Sequence, residues 1–243
     1  MKYIIASNWK ANFTLQEAID WFEKVTSYIE KLHSSNIRVI AAVPYPYIHH
    51  LSTNFTTLDV FSQNISHVEG GAYTGEVTIS MLKSINFKGS IVGHSERRHI
   101  FNETNEIINK KILLLQKNSL ESILCVGETL DERKQGRTKQ TIQQQISEAL
   151  RGVTNFELIT IAYEPVWAIG TGIPIDINDL IEMEKFIREF VLREYNWQAK
   201  ILYGGSVDKG FIREIIQKTT LDGALIGSAS WNPFNFIDII GNL

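Results

Sequence analysis

The apolar run Leu158-Ile159-Thr160-Ile161-Ala162-Tyr163 ends on a carboxylate, Glu164. Pro165 follows at once, then Val166-Trp167-Ala168-Ile169, then Gly170-Thr171-Gly172. A run this apolar reads as a buried strand, and a charged group at the tip of a rigid strand is well placed to act on a ligand. The segment after it is too apolar to rest comfortably in water. Together they suggest a catalytic base beneath a closing lid. The plainer reading is a surface loop with a solvated glutamate, and this segment alone leaves both open.

Other chemistries are weaker. Gly93-His94-Ser95-Glu96 has the outline of a nucleophile elbow, but Arg97 stands where the turn needs glycine. No Gly-Lys-Ser/Thr phosphate loop and no His-Glu-x-x-His metal helix occurs, so neither a metal nor another cofactor is expected. Cys125 is the single cysteine, which excludes an internal disulfide and a multi-cysteine metal site and fits a reducing cytoplasm. It reads as a small buried hydrophobe rather than a catalytic thiol.

The chain has 243 residues, 44% hydrophobic and 21% charged, which is ordinary globular composition with enough length for a sizeable core. A net charge of −3 without a Lys/Arg run argues against nucleic acid as a partner. No apolar stretch approaches the roughly 18–20 residues needed to span a bilayer. Tyr3-Ile4-Ile5-Ala6 is too short for the apolar part of a signal peptide. A cytoplasmic protein without nucleic-acid or membrane partners is expected.

The elements that position Glu164 are legible from the pattern. Short β-branched runs recur at Tyr3–Ser7, Ile37–Val43, Leu58–Ser62, Ser90–Val92, Ser122–Val126, Leu158–Tyr163, Ile201–Tyr203 and Ala224–Ile226. Helical periodicity lies between most of them, over Leu15–Leu32, Thr104–Lys117, Lys139–Leu150 and Asn178–Tyr195. Thr14-x-x-Glu17 is a capping box, and Asn232-Pro233 opens the last helix. Repeats of about 30 residues match a βαβ unit, and no linker divides them, so residues 1–243 are expected to form one domain.

Eight such units favour closure into a (β/α)8 barrel over an open sheet. Polar residues point the same way. Asn8 and Lys10 follow the first strand, His94 the fourth and Glu164 the sixth, while glycines and serines follow the last two. In an open sheet these tips would be too spread out to converge. In a barrel they share the C-terminal rim, where the fold places its active sites.

With that convergence, the chain resembles the triosephosphate isomerase family over essentially its whole length. The resemblance is carried by Asn8-Trp9-Lys10, Gln63-Asn64, Gly70–Glu76, Gly93-His94-Ser95-Glu96-Arg97, Cys125-Val126-Gly127-Glu128, Tyr163–Gly172 and Tyr203-Gly204-Gly205-Ser206-Val207, each in register with a strand end. It implies a single-domain TIM barrel that moves a proton between adjacent carbons of a triose phosphate through an enediolate, a reaction of glycolysis and gluconeogenesis. The family is itself a standard example of acid–base tuning, in which a carboxylate is the base and a neutral histidine the electrophile.

Carried over residue by residue, the resemblance makes Glu164 the base and His94 the electrophile. Lys10 supplies fixed positive charge and Asn8 a neutral hydrogen bond, with Glu96 in support. Burial under an apolar lid makes a carboxylate a stronger base. The Asn-x-Lys spacing puts Asn8 and Lys10 on one side of an extended segment. Backbone N–H groups at Gly170, Ser206, Gly227 and Ser228 are expected to hold the phosphate, because glycines allow close approach and successive N–H groups form an anion nest. The loop around Gly70–Val77 is expected to enter a second copy, bringing Thr74 near Asn8 and Lys10 in a homodimer. His33, His49, His50, His67 and His99 receive no role.

Departures from the family pattern fall at three places. Gly227-Ser228 stands for the usual Gly-Gly: a positive φ at 228 would strain serine, and otherwise its hydroxyl adds a donor. Ile173-Pro174-Ile175 replaces the common hinge, and proline leaves fewer torsions free to pivot. Ala11 stands where relatives carry a bulkier interface residue. The alternative to an enzyme is a phosphate-binding barrel without turnover that serves as an interaction protein, and a coupled isomerisation assay separates the two.

Overall fold

The computed structural model describes residues 3–32, 36–170, 172 and 174–243. Its strands are β1 (Tyr3–Asn8), β2 (Ile37–Val43), β3 (Asp59–Ser62), β4 (Gly89–Val92), β5 (Glu121–Val126), β6 (Ile159–Tyr163), β7 (Lys200–Tyr203) and β8 (Gly223–Ile226). Each pairs in parallel with the next, and β8 returns to β1, closing a barrel. The (β/α)8 TIM barrel expected from the spacing of apolar runs is the fold observed.

The helices form the outer ring. They are α1 (Leu15–Lys31), α2 (Tyr45–Asn54), α3 (Ile79–Lys83), α4 (Ser95–His99), α5 (Asn105–Lys117), α6 (Leu130–Lys134), α7 (Thr138–Ala149), α8 (Ile177–Tyr195), α9 (Lys209–Lys218) and α10 (Pro233–Ile240). Among the described residues, no helix is long and apolar enough to cross a membrane.

Local chemistry sets the helix ends. Thr14 and Glu17 cap α1 reciprocally, with Thr14 N donating to Glu17 Oε2 at 2.7 Å and Glu17 N to Thr14 Oγ1 at 3.4 Å. Its inward face buries Ala18, Trp21, Phe22 and Val25. At roughly 1.5–3 kcal/mol per fully buried large side chain, that stripe rather than the cap dominates its docking. At the start of α10, Asn232 Oδ1 accepts from Phe234 N at 2.9 Å, and Pro233 occupies a position whose N–H has no helical partner.

Strand alternation divides the interior into two cores. Inside the barrel lie Ile4, Ala6, Ile40, Ala42, Phe61, Ile91, Ile123, Cys125, Ala162, Leu202 and Leu225. Between strands and helices lie the intervening residues, among them Ile5, Val39, Ala41, Leu124, Ile161 and Ile201. This parity has a functional consequence. Ile4 and Ala6 point inward, so Asn8 does too; Ala162 points inward, so Glu164 follows. At the opposite end, Arg38 spans the floor, donating to Asp59 Oδ2 at 2.7 Å and to both Glu121 oxygens at 2.7 and 2.6 Å.

Several boundaries differ from those read in the sequence. Asn8 is the last residue of β1 rather than a residue following it. Phe156–Leu158 is a turn of 3-10 helix, so β6 begins at Ile159. Periodicity does not reveal α2, α3, α6 and α9, because one to three turns give too few repeats of the apolar stripe to stand out.

Closure of β8 on β1 depends on Gly223. Its φ is +146°, and a Cβ there would overlap the Ile4 carbonyl oxygen, which is ladder backbone that cannot move aside. Gly223→Ala is expected to lower unfolding stability by about 3 kcal/mol or more, read as a fall in urea midpoint at unchanged slope.

Candidate active site

Asn8 and Lys10 leave the rim of β1 in a fixed local geometry. Asn8 Oδ1 accepts from Lys10 N at 3.0 Å, and Lys10 takes the left-handed conformation with φ 55°. A non-glycine residue in that region is strained and must be held by its surroundings. Gln63 does this from the end of β3: its Nε2 donates to Lys10 O at 2.9 Å and to Ala42 O at 3.1 Å. The Lys10 ammonium reaches Glu96 Oε1 at 2.6 Å.

His94 caps the short helix α4. Gly93 ahead of it has φ +73°, which turns the chain inward after β4. His94 Nδ1 accepts from Glu96 N at 3.2 Å. A ring nitrogen that accepts an N–H carries no proton, so in the neutral imidazole the proton sits on Nε2. That nitrogen faces Glu164 Oε1 at 3.5 Å.

Glu164 is only 2% exposed. Its Oε2 accepts from Ser95 N, the first residue of α4, at 3.1 Å. Two glycines make room for it. A Cβ on Gly204 would lie 2.6 Å from Glu164 Cγ, and one on Gly127 would overlap the Glu164 carbonyl. The Glu164 carboxylate and the His94 imidazole are thus gathered from β6 and β4 by backbone packing, with each given a partner that orients it.

One cavity of about 390 Å³ is lined by Asn8, Lys10, His94, Glu164, Gly170, Ser206, Gly227 and Ser228. Every residue expected to act on substrate or phosphate therefore borders the same space. Glu96 lies just beside it, in a second hollow that also touches Lys10 and His94. Ser228 opens a 3-10 turn, Ser228–Ser230, and is not among the residues with positive φ, so serine is unstrained there. Its hydroxyl makes no hydrogen bond among the described residues, which leaves it free to donate.

The segment expected to act as a lid is tied at both ends. Trp167 Nε1 donates to Glu128 Oε1 at 2.9 Å, and Tyr163 Oη donates to Glu128 Oε2 at 3.1 Å. The Arg133 guanidinium lies 4.7 Å from the Trp167 ring centre. On the other side, Ser206 Oγ donates to Ala168 O at 2.8 Å, and Ile175 N donates to Tyr203 Oη at 3.3 Å. Thr171 and Ile173 lie outside the described residues; Pro174 lines the cavity and Ile175 is buried.

Asn8, Lys10, the His94 imidazole and the Glu164 carboxylate thus border one pocket that glycines also line. The sequence profile of triosephosphate isomerase matches residues 3–243. A triosephosphate isomerase of Aquifex aeolicus is 38% identical over 244 residues, covering 99% of each chain. One from Mycoplasma mobile is 40% identical over 243 residues, covering 98% of this chain and 99% of its own. One from Alkaliphilus oremlandii is 37% identical, covering 98% of both. The chain belongs to the triosephosphate isomerase family.

Within that family frame, several residues beside the site receive no role from the sequence, even where a motif contains them. Gln63 stands out there only as part of a motif, yet it holds the strained Lys10 backbone. Arg98 donates to Gly93 O at 2.7 Å and to Cys125 O at 3.0 Å, bracing the tips of β4 and β5. Glu128 is fully buried and binds the lid tryptophan. These roles depend on through-space neighbours that spacing does not encode.

Burial pushes the Glu128 carboxyl above its ordinary range, opposed by hydrogen bonds from Trp167 and Tyr163 and by the Arg133 charge. A raised carboxyl contributes stability that is complete below its unfolded value and lost as pH rises through its folded value. Glu128→Gln keeps an acceptor for Trp167 and does not ionise. Its unfolding stability, relative to the unaltered protein, should become more favourable between pH 5 and pH 8, measured by denaturant titration at each pH.

Proposed function

We propose that this chain interconverts dihydroxyacetone phosphate and D-glyceraldehyde 3-phosphate by proton transfer through an enediolate, without a cofactor. The observation that carries this reading is the 3.5 Å approach of Glu164 Oε1 to His94 Nε2 at the rim of one cavity. Substrate entering the cavity replaces that contact. The carboxylate meets the carbon-bound proton, and Nε2–H meets the oxygens of the two adjacent carbons.

Glu164 removes the proton from one carbon, and the electron pair moves onto the neighbouring carbonyl oxygen to give the enediolate. His94 donates a hydrogen bond to the developing negative charge, and the Lys10 ammonium opposes it electrostatically. Asn8 adds a neutral donor. His94 Nε2, facing both oxygens, gives its proton to the enediolate oxygen and takes up the hydroxyl proton of the neighbouring one, so the carbonyl changes place. The protonated Glu164 then returns its proton to the adjacent carbon, which balances the reaction and regenerates both groups. Glu96, 2.6 Å from Lys10, steadies the ammonium between turnovers.

The phosphate is placed at Gly170, Ser206, Gly227 and Ser228, where backbone N–H groups and the free Ser228 hydroxyl can converge on its oxygens. Closure of Val166–Ile169 over the cavity excludes water, which protects the enediolate and strengthens the electrostatic contacts. Cytoplasmic placement accords with a lone, buried cysteine.

A homodimer through the loop around Gly70–Val77 is part of the proposal. Tyr73 on that loop is 49% exposed, and Phe101 is 61% exposed beside a hollow lined by Lys10, Ala11, Pro44, Tyr45 and Gln63. The loop of a second copy fits the chemistry of this hollow: an aromatic tip for its apolar wall, and the Thr74 hydroxyl for the polar groups near Lys10.

Two measurements test the reading. A coupled assay should show isomerisation of both triose phosphates, and Glu164→Asp, which withdraws the carboxylate by about 1 Å, should lower kcat about 100-fold. An undiminished rate would remove Glu164 from the role of base. Sedimentation at low micromolar concentration should give the dimer mass, and a fully active monomer would reject the proposed interface.

A further inference from the structure

The segment that backs Glu164 is held by a side chain outside the cavity. Gln145, on α7, accepts from Gly127 N at 2.9 Å with its Oε1 and donates to Gly127 O at 3.0 Å with its Nε2. One carboxamide thus meets both polar groups of a single residue, the two-point pairing that a neighbouring strand would otherwise supply. β4 cannot supply it. Its last ladder pair is Val92 with Leu124, and Gly93 then turns the chain away toward His94.

On its other side, the segment around Gly127 extends the sheet into the site. Glu164 N donates to Val126 O at 2.8 Å, and Val166 N donates to Glu128 O at 3.1 Å. Val126 and Glu128 therefore register the base and the root of the lid, while the N–H and C=O of Gly127 point away to Gln145. The two backbones are in direct contact, since any Cβ on Gly127 would overlap the Glu164 carbonyl. A shift of the Gly127 peptide has to be passed on to Glu164. Glu128, the next residue, also carries the hydrogen bond from Trp167.

We infer that Gln145 is a positioning residue for the reaction, holding the Gly127 peptide and through it the backbone of Glu164 and the first residues of the lid. This rests on the reading of Glu164 as the base. Gln145 touches no substrate; its effect is geometric, and displacing a base by a fraction of an ångström is felt in turnover before it is felt in binding. Three of the four groups proposed to hold the phosphate, at Ser206, Gly227 and Ser228, follow β7 and β8, away from this clamp, so ground-state binding of phosphate should report its loss only weakly.

The test uses the full-length enzyme and two substitutions. Gln145→Glu places a carboxylate oxygen against the Gly127 carbonyl at pH 8, turning a hydrogen bond into a repulsion. The expected result is a kcat about tenfold below the unaltered enzyme, with inorganic phosphate inhibiting both with constants that agree within about twofold. As pH falls toward 5, the introduced carboxyl takes up a proton, regains a donor, and the ratio of the two kcat values should rise toward one. Gln145→Leu, which has no such donor to regain, should show a similar loss at every pH. A kcat unchanged in both variants, with only the unfolding midpoint lowered, would assign Gln145 to stability and overturn the inference. A loss in Gln145→Glu that does not recover at low pH would also overturn it. Absence of isomerase activity in the unaltered enzyme would overturn the reading of Glu164 itself, a different and separately visible outcome.

Discussion

A carboxylate buried to the extent of Glu164 has to find inside the protein the interactions that water would otherwise give it. Here they come from the N-terminal end of α4: the Ser95 N–H to one oxygen and the His94 ring opposite the other. That requirement fixes much of the neighbourhood. Gly93 must turn sharply so that α4 begins at the rim, and Arg98, the fourth residue of that helix, reaches back to the Gly93 and Cys125 carbonyls. Gly204 and Gly127 must be bare because the side chain and backbone of Glu164 occupy the space a Cβ would take. The lid follows as well, since an open mouth would rehydrate the group.

Three carboxylates around the site are set apart by environment. Glu164 is buried beside a ring nitrogen and a backbone N–H. Glu96 has a 40% exposed side chain and is committed to Lys10. Glu128 is buried behind the lid with its oxygens taken by Tyr163 and Trp167, and burial holds its carboxyl above the ordinary range. In the proposed reaction the same functional group thus serves in three ways, as proton carrier, as counter-charge and as anchor for Trp167. The distinction lies in solvation and hydrogen bonding rather than residue type.

The parts of this arrangement that can be read in the sequence are those set by alternation along a strand. Glu164 two residues beyond Ala162 and Asn8 two beyond Ala6 must face inward once the strands close, and continuous apolar runs identify those strands. His94 is legible for a different reason: it follows β4 directly, with Gly93 to turn the chain. What cannot be read depends on pairs distant in sequence or on short elements. The hold of Gln63 on Lys10 and of Gln145 on Gly127 joins residues whose neighbours carry no trace of the contact. The left-handed backbone at Lys10 also lacks a sequence cue, since lysine is an unusual occupant of that conformation. The helices α3 and α6 are single turns or little more, below the length at which a periodic stripe can be recognised.

The floor of the barrel bears on isotope exchange. Arg38 is bonded to Asp59 and to both oxygens of Glu121, and above it the inward side chains of Ile4, Ile40, Phe61, Ile91 and Ile123 are buried. Bulk water therefore has no straight route to the carboxylate from below. In the proposed reaction, a hydrogen carried by Glu164 is then traded with solvent across the mouth, past Trp167 and its neighbours. The fraction of label that substrate hydrogen retains on passing to the adjacent carbon then measures how long that mouth stays shut relative to the lifetime of the enediolate, making the inert end of the barrel part of the clock.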